Sequence, residues 1–111
     1  MLNTVRFRTF KVIGKDNRTI SKVVAATALL ETTEENEKEF SVQFSFCSPK
    51  DKFDKLKGQF IAAKRLESFR GITFKNDPSK KVSETVKNLL MAEINRKPVR
   101  WLQDVTKDQI V

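Results

Sequence analysis

FSVQFSFC, residues 40–47, decides the fold. Phe40, Val42, Phe44 and Phe46 share one parity while Ser41, Gln43, Ser45 and Cys47 take the other. Alternation at period 2 over eight residues predicts a half-buried antiparallel strand. Directly after it, Ser48 stands as an N-cap, Pro49 as the first helical residue and Asp51 three positions beyond the cap. This capping arrangement predicts a helix that begins at Pro49 and ends near residues 69–71. Phe53, Leu56, Phe60 and Ala63 recur along it at helical spacing, which predicts an aromatic stripe laid on the sheet.

Toward the N-terminus, residues 4–13 are rich in β-branched and aromatic side chains. Val5 and Phe7 sit on one parity and Phe10 and Val12 on the other, so this strand either bulges near Thr9 or is covered on both faces. Gly14, Lys15, Asp16 and Asn17 read as a turn, and residues 19–30 as a second strand that closes a hairpin. Ala25, Ala26, Ala28 and two leucines make a helix over residues 21–30 the rival reading. Residues 31–39 carry five glutamates and no apolar side chain, and read as a solvated acidic loop.

On the other side of the deciding strand, Ile72, Thr73 and Phe74 predict a short strand before the turn residues Asn76, Asp77 and Pro78. A second helix is expected over residues 79–95, with Val82, Val86, Leu89 and Leu90 inward and Pro98 beyond its end. Residues 99–111 are expected to add an edge strand or form a tail. The fold class is therefore α+β in one domain spanning residues 1–111: an antiparallel sheet of about four to five strands with two helices on one face.

Composition narrows the chemistry. The 111 residues include no His, no Tyr, one Cys and three Gly. A Ser-His-Asp or Cys-His nucleophile, a His or Cys zinc site and a Gly-rich phosphate loop cannot be assembled from these residues. A non-catalytic protein with no cofactor is expected. The 22 Lys and Arg against 14 Asp and Glu leave a net charge of +8. Residues 31–39 hold a local −4, so the other 102 residues carry +12. Such a surface attracts polyanions and points to a nucleotide or nucleic acid as partner. Cys47 has no second cysteine to pair with, no N-terminal segment has the order of a signal peptide, and the longest mostly apolar run, Val23 to Leu30, is eight residues and contains Thr27. An intracellular protein with no membrane contact is expected.

Three groups of residues are candidates for holding phosphate. Arg6 and Arg8 share a strand face opposite Val5 and Phe7, spaced to grip successive phosphates or simply to be solvated. Lys50, Lys52, Lys55 and Lys57 crowd the start of the first predicted helix, where either an anion or ordinary capping accounts for them. Arg96, Lys97, Arg100 and Trp101 gather planar donors and an aromatic face around Pro98, with a core Trp as the plainer reading. Gly58 and Ala62 form a narrow groove edged by Arg65, fit either for a helix of a second copy in a homo-oligomer or for a ligand that Arg65 reaches.

The run Cys47-Ser48-Pro49-Lys50-Asp51-Lys52-Phe53, continued by Lys57-Gly58 and by Ile61-Ala62 to Arg65-Leu66, resembles a pattern in small phage and prophage proteins. In outline the chain is also similar to the Thoeris anti-defence proteins, small oligomeric α+β sponges that capture cyclic nucleotide or cyclic ADP-ribose immune signals without cleaving them. The resemblance implies a phage or mobile-element accessory protein acting in the cytoplasm of a bacterial host. It would sequester a nucleotide signal or bind nucleic acid. The alternative is an inhibitor that docks on a host protein such as a nucleic-acid enzyme or a defence protein.

Overall fold

The structure, a computed structural model, describes residues 5–32, 34, 37–48, 52–68, 71–96, 102 and 105–111. In chain order the elements are β1 (Val5–Ile13), β2 (Thr19–Thr32), β3 (Lys38–Cys47), α1 (Lys55–Ser68), β4 (Ile72–Asn76) and α2 (Val82–Arg96). The strands form one antiparallel sheet in the order β1-β2-β3-β4, so the α+β class and the four-stranded count agree with the sequence. Residues 21–30 are strand, not helix.

Asn17, in the left-handed region at φ 65°, closes the β1-β2 turn by donating its amide to the Gly14 carbonyl at 3.0 Å. Asn tolerates that conformation better than most residues. Pairing of β1 with β2 is regular from Val5 to Val12 and shifts register only between Val12 and Ile13. No bulge occurs at Thr9: Phe10 and Val12 are buried on the α2 side, while on the other parity Val5 packs partly against the α1-side cluster and Phe7 stays 40% exposed. Residues of the predicted acidic loop contribute to both neighbouring strands, because Thr32 still pairs with Lys38.

The two helices lie on opposite faces of the sheet, not on one. Val23 and Ala25 of β2 cluster with Val42 and Phe44 of β3 and with Val86, Leu90 and Ile94 of α2. Val24, Ala26 and Ala28 cluster instead with Ala62 and Leu66 of α1. Successive strand residues point to opposite faces, so β2, apolar on both parities, needs a cover on each side. Fully burying a side chain such as Phe44 or Leu90 contributes about 1.5–3 kcal/mol each.

The buried side of α1 is the reverse of the one expected. Leu56 is 76% and Phe60 64% exposed, whereas Gly58, Ala62 and Leu66 are buried. Small side chains line the facing sheet surface, where Ala26 and Ala28 of β2 stand beside Ser41 and Ser45 of β3, so the small-residue stripe brings the helix backbone closest. A β-carbon on Gly58 would stand 2.7 Å from Val24 Cγ2. The groove expected to take a second copy or a ligand is therefore filled by the chain's own sheet.

Helix α1 also begins later than Pro49. Asp54 Oδ1 accepts the Lys57 amide at 3.1 Å and serves as the cap, while Lys52 and Phe53 are not helical. Before α2, Asp77 Oδ1 accepts from the Ser79 amide at 2.9 Å and its hydroxyl at 2.8 Å, making a turn that delays the helix to Val82. At the C-terminus, Leu102, Val105 and Ile110 are buried, and Val111 exchanges two backbone hydrogen bonds of 2.8 Å with Lys11 on the outer edge of β1. The end of the chain docks on the domain, with a single bridge in place of a full edge strand.

Candidate functional site

One corner of the sheet on the α2 side is left uncovered. There the start of β1, the end of β2, the start of β3 and the end of β4 meet the first turn of α2 around a cavity of about 730 Å³. Strand parity sets its floor: Arg6, Thr27, Leu29 and Phe40 belong to the same face as Val42 and Phe44, as the pairings Arg6 with Thr27, Thr27 with Val42 and Leu29 with Phe40 require. Arg8 lies one repeat further along β1, and Lys38 one repeat before Phe40 on β3. Val82, Ser83 and Val86 of α2 form the opposite wall, with Pro78 and Lys80 at the rim.

Among the described residues the lining includes four cations, Arg6, Arg8, Lys38 and Lys80, and no carboxylate. None of the four is ion-paired among the described residues. The first turn of α2 adds the positive end of its dipole to that field. Asp77 attracts Lys80 at longer range, but its carboxylate is already engaged: the Ser79 amide first, the Ser79 hydroxyl second and Lys80 to a smaller extent hold its pKa below the ordinary value. Phe40 supplies an aromatic surface to the cavity and is itself stacked on Phe74, with ring centroids 5.5 Å apart.

The corner is fastened by Asn76, which is buried at the end of β4. Its amide nitrogen donates to the Lys80 carbonyl at 2.9 Å and to that of Asp77 at 3.2 Å, and its oxygen accepts from the Thr85 hydroxyl at 2.6 Å. Asn76 also pairs across the sheet with Lys38. One side chain thereby ties together β4, the loop carrying Lys80 and the first turns of α2, next to the strand carrying Lys38.

Of the residues singled out in the sequence, Arg6 and Arg8 come together in this cavity. Lys57 and Arg65 are on α1, across the sheet from it. The Arg65 guanidinium donates to the Phe44 carbonyl at 2.9 Å, a structural bond. Arg96 is bound to Glu93 through two hydrogen bonds of 3.0 Å, which hold its guanidinium pKa above the ordinary value. Lys50, Arg100 and Trp101 lie outside the described residues. Gly58 and Ala62 are under the sheet.

Lys38, Lys80, Phe40 and Ser83 were not singled out as ligand contacts. Lys38 was hidden by its acidic neighbours, although its parity with Phe40 places it on the inward face and is readable in the sequence. Among the described residues no group of three or more His, Cys, Asp or Glu is placed to hold a metal ion. No described helix is long and apolar enough to cross a membrane. Comparison with protein-family models, with curated proteins and with solved structures finds no match to this chain.

Proposed function

We propose that this protein is a non-catalytic binder of a small phosphate-bearing molecule of nucleotide size, held in the corner cavity. The observation that carries the reading is the convergence of Arg6, Arg8, Lys38 and Lys80 on one cavity of about 730 Å³ that has no carboxylate among its described lining residues. Arg offers planar paired donors and Lys a compact charge, both suited to phosphoryl oxygens. Phe40, Leu29 and Val86 provide apolar surface for the remainder of the molecule. The volume falls within the roughly 300–1,000 Å³ of small-molecule sites.

A concave cavity favours the nucleotide-sized ligand over a long nucleic acid, which needs an open positive stripe. The sequestering role, in a phage or mobile-element protein acting inside a bacterial host, belongs to the same proposal: the origin draws on the resemblance of residues 47–66 to small phage proteins, and the role on the outline similarity to the Thoeris anti-defence sponges. Native mass spectrometry of the protein purified from bacterial cells tests the reading. A retained phosphate-containing small molecule, lost in an Arg6→Ala, Arg8→Ala double variant, is the expected result. Protein that carries no such mass and acquires none when nucleotides are added would overturn it.

A further inference from the structure

Resting on the binding reading above, we infer that the ligand is a nucleotide whose base stacks on Phe40, and that the site accepts it whichever base it carries. Two aromatic rings belong to the cavity lining, Phe7 and Phe40. Phe7 stands on the opposite parity of β1 from Arg6 and Arg8, whereas Phe40 rises from the floor on the same sheet face as Thr27 and Leu29. The Phe40 ring is stacked on Phe74 of β4, with centroids 5.5 Å apart and planes 20° from parallel. Its second face is therefore turned away from β4, toward β2, where its cross-strand partner is Leu29. Leu29 is 36% exposed and Phe40 only half-buried, so the ring keeps surface open to the cavity. A ring already held on one side by another is preorganised as a platform for a third.

Tolerance of the base follows from the polar groups around that ring. Reading the edge of a base takes donors and acceptors held in fixed directions, such as those of a side-chain amide or a carboxylate. Among the described lining residues there is no carboxylate, and Asn76 supplies the only side-chain amide. That amide is spent: its nitrogen donates to the Lys80 and Asp77 carbonyls, and its oxygen accepts from the Thr85 hydroxyl. The neutral polar side chains left are Thr27 and Ser83, whose hydroxyls rotate to donate or accept and so suit any base. The four cations serve the phosphate. Affinity for the nucleoside part then comes from the aromatic face, which every base can cover.

Isothermal titration of the full chain with the 5′-monophosphates of adenosine, guanosine, cytidine and uridine, and with ribose 5-phosphate, tests the inference. The nucleotides are expected to bind within about tenfold of one another, and adenosine 5′-monophosphate about fivefold or more tighter than ribose 5-phosphate. Phe40→Leu, in protein whose circular dichroism matches the parent, should remove that advantage and leave the affinity for ribose 5-phosphate unchanged. In the parent, a measurement that needs no variant, the Phe40 ring-proton resonances should move upfield with adenosine 5′-monophosphate and stay in place with ribose 5-phosphate. A smaller advantage, one that survives in folded Phe40→Leu, or ring protons that do not move would take the base off Phe40 and leave the phosphate-binding reading intact. One nucleotide preferred by more than about tenfold over the others overturns the tolerance of the base. Failure of all five compounds to bind folded protein overturns the binding reading and this inference together.

Discussion

Arg65 Nη1 on α1 donates to the Phe44 carbonyl oxygen on β3 at 2.9 Å, taking the place of a missing strand. β4 pairs with β3 only from Lys38 to Val42, so the backbone of Phe44 lies beyond its reach. The Phe44 amide is met in the same way by the Gln43 side chain, at 3.2 Å. A backbone group left without a partner in a part-buried position is costly, and Arg65 provides that partner. Arg65→Met keeps the bulk of the stem and removes the donor. It should lower stability by about 1–2 kcal/mol in urea denaturation and leave phosphate-ligand affinity unchanged. A variant of parental stability that has lost ligand binding would assign Arg65 to the site instead.

Gly58 keeps α1 close to the sheet. Its missing β-carbon would stand 2.7 Å from Val24 Cγ2, and Val24 is buried and β-branched, with little freedom to move aside. Gly58→Leu is expected to destabilise by about 1–3 kcal/mol through overpacking, outweighing the roughly 1 kcal/mol gained in helix propensity. Thermal unfolding measures the loss, and size-exclusion chromatography of the folded fraction should show the subunit number of the parent. A stable variant with fewer subunits would instead put Gly58 in an interface between copies.

Acid should loosen the loop before α2. Asp77 accepts two hydrogen bonds from Ser79, and its folded pKa lies below the ordinary 3.8. Because the folded value is depressed, the stabilisation is complete above about pH 4 and is lost as pH falls through the folded value. Asp77→Asn does not titrate. The gap in urea midpoint between parent and variant should be open near neutrality and narrow progressively as pH falls below 3.8. A gap that stays constant across that range would mean that the Asp77 charge contributes nothing.

Much of the fold was legible. The parity of residues 40–47, the turn at residues 14–17 and the inward Val86 and Leu90 all lie where local pattern places them. Which side of α1 turns inward was not, because residues 53, 56, 60 and 63 and residues 58, 62 and 66 are both helical stripes. The choice fell to the small side chains of the facing sheet, a tertiary fact that helix spacing does not contain. Both parities of β2 are apolar, which already required two covered faces, but the rule that helices gather on one side of an antiparallel sheet concealed it. In the cavity, Arg6 and Arg8 were readable from strand parity. Lys80 was not, since only the Asn76 clamp on its loop brings it beside Lys38.

Amide chemical-shift mapping of the isotope-labelled protein during titration with adenosine 5′-monophosphate addresses the cavity most directly. Saturable shifts are predicted at Arg6, Arg8, Thr27, Phe40 and Ser83, with Lys57, Arg65 and the rest of α1 undisturbed. Shifts gathered on α1, or none that saturate, would contradict a phosphate-binding corner.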